Sequence, residues 1–235
     1  MGPEFKHMIV AINEMVEGNI LLECKKSGLY CKTIDDATIC LIEIFIDKEH
    51  MSEYTVNEGD VLGLNINLLN KALKTSNKPE IITLEQNDYH LKVISHGSRK
   101  CEFEIPLVDI LKDDMHIPEI DYDCSFQMTS TAFSGTCKDL KPFGDQVLLK
   151  ISDGVEFSIQ DELKCTISVD VEEIENEDNI KMEKKYDLKY LLKMLKAGNL
   201  STEVNFYVSD TMPLVVEYKI NEESYVRYYL GNIMD

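Results

Sequence analysis

Lysine is the residue type whose spacing in this chain has a chemical use. Lys71, Lys74 and Lys78 fall along one segment, Lys189, Lys193 and Lys196 along a second, and Lys138 and Lys141 close a third. At steps of three and four, such residues share one face if the segment is helical. A face of ammonium groups suits the phosphate backbone of a nucleic acid. No arginine cluster or interleaved aromatic residue accompanies the lysines, so the expected contact is blind to base sequence. The chain as a whole is acidic, with 43 Asp and Glu and a formal net charge of -19. Taken alone that charge serves solubility and argues against nucleic-acid binding. The signal is the segregation of the cations, not their number.

Catalytic chemistry has no comparable signal. The sequence contains no G-x-S-x-G, no Walker loop and no G-x-G-x-x-G. Leaving aside His7, no histidine lies within four residues of another His or a Cys, so zinc is not expected. Asp35-Asp36 and Asp113-Asp114 lack the spacing of a calcium loop and read as turn or surface acids. The 7 cysteines (residues 24, 31, 40, 101, 124, 137 and 165) form no C-x-x-C, and several sit in apolar strands, as reduced core thiols do. This favours a reducing cytosolic or nuclear compartment.

The elements that must position the lysines are written twice. Leu69 to Asn77 lies over Leu191 to Asn199, with Leu, Lys, Leu, Lys and Asn coinciding. Gly18-Asn19-Ile20-Leu21-Leu22, running into Ser27-Gly28, lies over Gly144-Asp145-Gln146-Val147-Leu148, running into Asp153-Gly154, at nearly the same offset. The period is about half the chain, which fits two similar domains rather than a solenoid. Pro106 to Asp123, with its prolines and acids, reads as an extended connector. The division is a leader at 1–7, a first domain at 8–106, a connecting loop at 107–122 and a second domain at 123–235. Met1 to His7 resembles an expression-vector leader and is excluded from fold reasoning.

Within the first domain, Ile9 to Val16 reads as a short helical remnant, Ile39 to Ile46 as a buried strand, and Ser52 to Asn57 as another strand. Asn65 to Thr75 is an amphipathic helix with Ile66, Leu69 and Leu73 on one face. In the second domain Cys124 to Met128 is a strand, Ser130 to Leu140 and Leu188 to Lys196 are helices, and the acidic run Val171 to Asn179 is a loop. The expected class is α+β, with antiparallel sheet and a few helices on one of its faces. The first domain is expected to lack the opening strand and part of the first helix that the second one carries.

At these residues the chain resembles the eukaryotic sliding clamp family, proliferating cell nuclear antigen. Met212-Pro213-Leu214-Val215-Val216-Glu217-Tyr218-Lys219-Ile220 and Tyr228-Tyr229-Leu230 are similar to its closing strands. Ile117-Pro118-Glu119 with Tyr122 resembles its connecting loop. Cys137-Lys138-Asp139-Leu140, Asp153-Gly154-Val155 and Pro79 to Leu84 match in order along the rest. The resemblance implies a DNA-clamp fold with sheets outside and helices on the inner face, assembled as a head-to-tail homotrimer around duplex DNA. It implies a nuclear, non-enzymatic processivity factor in replication and repair, without a cofactor and without membrane attachment. An ATP-hydrolysing clamp loader, DNA polymerase, flap endonuclease and ligase are the implied partners, joined through short peptide motifs.

By position, the resemblance puts the peptide pocket at Ile34, Thr38, Ile39, Leu41, Met115, Ile117, Tyr122, Pro213, Tyr229 and Gly231. It puts Lys71, Lys74, Lys78, Lys138, Lys141, Lys189, Lys193 and Lys196 toward DNA. It pairs an edge strand bearing Cys101, Phe103 and Ile105 with a neighbour's strand bearing Leu163, Cys165 and Ile167. Thr38 and Asn232 depart from the animal and yeast pattern, where His and Pro are usual, and Ser152 replaces a lysine, leaving Lys150 nearest. A missing first strand implies lower stability and weaker DNA contact. The readings that compete are a checkpoint-clamp subunit, a monomeric peptide-binding module unable to encircle DNA, and an acidic enzyme whose site only the fold assembles.

Overall fold

The computed structural model describes residues 2–57, 59–75, 81–111, 117, 122–171, 174–175 and 181–233. The chain divides into two compact units. One comprises Met1–Met115 with Ile220–Val226, and the other His116–Lys219 with Arg227–Asp235.

The first unit opens with α1 (Pro3–Met15), followed by β1 (Asn19–Lys25), β2 (Gly28–Ile34), β3 (Cys40–Asp47) and β4 (Val61–Asn65). Then come α2 (Ile66–Thr75), β5 (Ile81–Gln86), β6 (His90–His96) and β7 (Cys101–Pro106). Strands β3-β2-β1-β4 run side by side, and β5-β6-β7 form a separate sheet. All of the described pairings are antiparallel. The two helices pack on each other and on these sheets, α1 on β3 and β5, α2 on β4 and β7.

The residues expected to form a leader are part of this fold. Proline in the first helical turn and Glu4 beside it suit a helix start, since proline's missing N–H would be unbonded there anyway. Phe5 is 3% exposed and Met8 1%. The first helix is therefore a full 13 residues rather than the expected remnant. The strand expected at Ser52 to Asn57 is a segment outside every sheet, pinned by the Tyr54 hydroxyl, which donates to the Lys25 and Gly28 carbonyls.

The second unit follows the same plan: β8 (Cys124–Thr129), α3 (Ser130–Leu140), β9 (Gln146–Ile151), β10 (Val155–Gln160), β11 (Lys164–Val169) and β12 (Ile174–Glu175). It continues with β13 (Met182–Asp187), α4 (Leu188–Met194), β14 (Glu203–Val208), β15 (Leu214–Lys219) and β16 (Tyr225–Leu230). Here β11-β10-β9-β13 form one sheet, and β12-β8-β14-β15 with the end of β16 form the other. Phe206 holds this core together. It stacks on Phe126 at 4.7 Å and meets the edges of Phe133 at 5.1 Å and Phe157 at 6.3 Å. The acidic run expected to be loop contributes the short β12, which pairs with β8; residues 172–173 and 176–180 lie outside the described residues.

Candidate nucleic-acid interface

The lysines are carried on helices that begin where strands end, and a polar side chain caps each start. In α2 the Asn65 side chain accepts from the amides of Asn67 at 3.0 Å and Leu68 at 3.3 Å. In α3 the Thr129 hydroxyl accepts from the Ala132 amide, and in α4 the Asp187 carboxylate accepts from the Lys189 amide. The apolar side of each helix is fixed by burial. Leu69 and Leu73 in α2, Phe133 and Leu140 in α3, and Leu188 and Leu191 in α4 are all within 1% of complete burial. That orientation leaves Lys71, Lys74, Lys138, Lys141, Lys189 and Lys196 exposed and Lys193 half-buried. Lys78 lies outside the described residues.

In each unit the lysine helices are neighbours of a second helix, α2 beside α1 and α4 beside α3. Between α1 and α2 runs an open polar groove of about 470 Å³, lined by Asn13, Asn67, Asn70, Lys71, Lys74 and Thr75. Asn70 donates to the Asn13 side chain at 2.8 Å, while its own buried carbonyl oxygen finds no partner among the described residues. The asparagines are absent from the sequence-based set because amides do not stand out as a charge pattern does. In the second unit some cations are already engaged. Lys141 pairs with Asp145 one turn on, and Lys189 sits 2.9 Å from Asp187 and 5.0 Å from the Tyr190 ring centroid. Exposed pairs of this kind are worth little, so they leave the lysines available to phosphate.

The expected assembly strands are sheet edges. β7 is an outer strand of the three-stranded sheet and β11 an outer strand of the four-stranded one. Cys101 and Phe103 on β7 are half-buried and Ile105 is buried; Cys165 and Ile167 on β11 are half-buried. Leu163, 62% exposed, immediately precedes β11. Phe103, Ile105 and Leu68 border a mainly apolar hollow of about 200 Å³ between β7 and α2.

The expected peptide-pocket residues fall on both units. Ile34, Thr38, Ile39 and Leu41 belong to the first, around a turn built on Asp35, whose carboxylate accepts from the amides of Ile39 and Cys40, each at 2.8 Å. Thr38 adopts a left-handed φ of 57° there, and Ile39 is 40% exposed. Ile117, Tyr122, Pro213, Tyr229 and Gly231 belong to the second, all half-buried. Tyr122 packs on Tyr207 at 5.5 Å. Met115 lies outside the described residues.

A twice-repeated α+β unit carrying lysine-bearing helices on antiparallel sheets is the design of a DNA sliding clamp. Comparison with known proteins gives the same class. Residues 2–117 match the proliferating cell nuclear antigen N-terminal domain, and residues 116–233 match its C-terminal domain. The chain belongs to the proliferating cell nuclear antigen family. The proliferating cell nuclear antigen of Chaetomium thermophilum is 29% identical over 241 residues, covering 96% of this chain and 93% of that protein. As a member of that family the chain is a non-enzymatic scaffold of DNA replication and repair.

Proposed function

We propose that this chain assembles head to tail as a homotrimeric ring that encircles duplex DNA and slides along it. The observation that carries this reading is the placement of exposed lysines on the helices of both units, in a chain whose net charge is -19. A cationic lining attracts the phosphate backbone without reading sequence, so contacts can break and re-form as the ring moves. Acid elsewhere keeps the particle soluble. Rings close through β7 of one subunit and β11 of the next, joined as a continued sheet. Retention is topological: a closed ring leaves circular DNA only by opening.

The ring acts by tethering, in the nucleus. A clamp loader opens it, and DNA polymerase, flap endonuclease and ligase bind by short peptide motifs at Ile34, Thr38, Ile39, Leu41, Met115, Ile117, Tyr122, Pro213, Tyr229 and Gly231. Binding one partner raises its effective concentration at the DNA.

The test loads the protein onto circular DNA and compares its retention before and after linearisation. Wild type stays on the circle and runs off the linear form. Lys71→Glu with Lys193→Glu lowers the amount of protein loaded onto the circle about tenfold near 0.15 M salt through lost phosphate contacts, while binding of a partner peptide is unchanged. Loading onto circles equal to wild type would rule out the lining-helix assignment, and equal retention on circular and linear DNA would rule out encirclement.

A further inference from the structure

One histidine outside the surfaces described above is held in a single protonation state by its neighbours. The tip that joins β15 to β16, Ile220–Val226, belongs to the first unit, and three contacts tie it to the end of β3. The Asp47 amide donates to the hydroxyl oxygen of Ser224 at 2.9 Å, and Ser224 is fully buried. The Phe45 and Tyr225 rings meet at 6.1 Å. The third contact joins the Asn221 side-chain nitrogen to His50 Nδ1 at 3.2 Å. His50 ends a single helical turn, Lys48–His50, which Asp47 caps by accepting from the Glu49 amide at 2.7 Å. Asp47 thus orients both the serine contact and the turn that carries the histidine.

The direction of the third contact follows from the asparagine. Its Oδ1 already accepts from the amides of Glu223 at 3.0 Å and Ser224 at 2.6 Å. Turning the side chain over would set its NH2 against both donors and lose both bonds. Nδ2 therefore faces His50 as a donor, and Nδ1 can only accept. An accepting Nδ1 means a neutral ring with its proton on Nε2. Protonation adds a hydrogen to Nδ1 and sets two donors head to head. We infer that His50 and Asn221 form a proton-sensitive clasp on the hairpin tip, closed while the ring is neutral and released when the ring gains a proton. The clasp stabilises the docked tip at high pH, and its contribution is lost as pH falls through the range in which histidine titrates. The charged residues on the elements that meet here are Asp47, Lys48 and Glu49 beside the ring, Glu222 and Glu223 in the tip, and Glu4 at the start of α1. Glu4 reaches the ring, its carboxylate 3.9 Å from Nε2. It faces the nitrogen that carries a proton in both states, and a pair this open to solvent is worth little. It opposes release without replacing the bond lost at Nδ1. None of the clasp residues belongs to the surfaces proposed for DNA, subunit or peptide contact.

The experiment uses the full chain. It follows the hydrogen-exchange protection of the Asp47 amide between pH 8 and pH 5, each rate taken against that of an unstructured chain at the same pH, together with the ring nitrogen shifts of His50 by NMR. In the wild type the proton should sit on Nε2 at pH 8, and protection should fall about tenfold by pH 5. Two variants separate the clasp from other titrations. Asn221→Asp keeps one oxygen for the Glu223 and Ser224 amides and turns a second toward His50, where it accepts from a protonated Nδ1. Its protection should rise as pH falls. His50→Asn offers an acceptor that gains no proton, and its protection should stay level. The inference is overturned by a proton on Nδ1 at pH 8, by level protection in the wild type, or by a fall in either variant equal to that of the wild type.

Discussion

At the scale of single residues, the closing strands carry two groups whose burial sets their energetics. Glu217 has no exposed surface. The Arg227 guanidinium binds its carboxylate, the Tyr207 hydroxyl donates to it at 3.1 Å, and the Lys219 ammonium stands 3.7 Å away. Removing one partner of a buried pair leaves the other charge desolvated. Arg227→Met should therefore cost about 2 to 3 kcal/mol, less than a fully enclosed pair because Lys219 remains near. Adding Glu217→Gln should recover part of that loss, and a double-mutant cycle in urea reads the coupling. A cycle that closes without coupling would mean that the pair contributes nothing. Tyr218 presents the opposite case. Its ring is fully buried against Tyr228 at 6.4 Å, and its hydroxyl has no partner among the described residues. Tyr218→Phe removes an unsatisfied oxygen at little change in shape and should raise stability by about 1 kcal/mol. A lower urea midpoint would show that the hydroxyl is bonded after all.

At the scale of elements, the entry to β8 is tied by one carboxylate. Asp123 accepts from the Asp210 amide at 2.8 Å, and that bond, with a second from the Ser209 side chain, holds its pKa below the usual 3.8. A depressed carboxyl stabilises the fold above its unfolded value, and the contribution disappears as pH falls through its folded value. Exchange protection of the Asp210 amide should thus persist at neutral pH and weaken below about pH 4, whereas in Asp123→Ala, which has no side-chain acceptor, it should be unprotected and insensitive throughout. A protein whose Asp210 amide stays protected at pH 2 would refute the tie. This element-level logic was partly visible in sequence. The helices at Asn65 to Thr75 and Ser130 to Leu140 were legible because their apolar spacing is regular and polar caps stand where they start. β13 was not, because only Met182 and Tyr186 of Met-Glu-Lys-Lys-Tyr-Asp are buried, and the segment reads as polar. β4 was hidden by Gly63 at its centre, yet glycine is required there: a Cβ would lie 2.1 Å from the Val108 carbonyl oxygen. The first turn of α1 was discounted for its resemblance to a leader, although its Pro and Glu are start signals. The residues proposed for the peptide pocket have no local signature at all, since exposed Ile39 and half-buried Tyr229 look like any surface side chains.

At the scale of the whole molecule, thiol chemistry can report ring closure. Burial pushes the Cys31 and Cys137 thiols up to about 12 and the Cys124 thiol to about 11, and it raises Cys24 as well. Cys40 is fully buried. Thiolate is the reactive form, so these cysteines should resist alkylation near neutral pH whatever the assembly state. Cys101 on β7 and Cys165 on β11 are only half-buried, and they sit on the two edges proposed to meet. In dilute protein both should label first. As concentration rises and the mass in solution approaches three times 26.9 kDa, pairing of the edges removes both from solvent together. The measurement is the iodoacetamide rate at each cysteine, by peptide mass, alongside light scattering over the same concentration range. Concerted slowing at Cys101 and Cys165 that tracks the mass would place the subunit contact on β7 and β11. If the mass reached the trimer value while both rates stayed constant, the ring would have to close through other strands. Slowing at only one of the two would break the head-to-tail pairing, because each contact needs both edges.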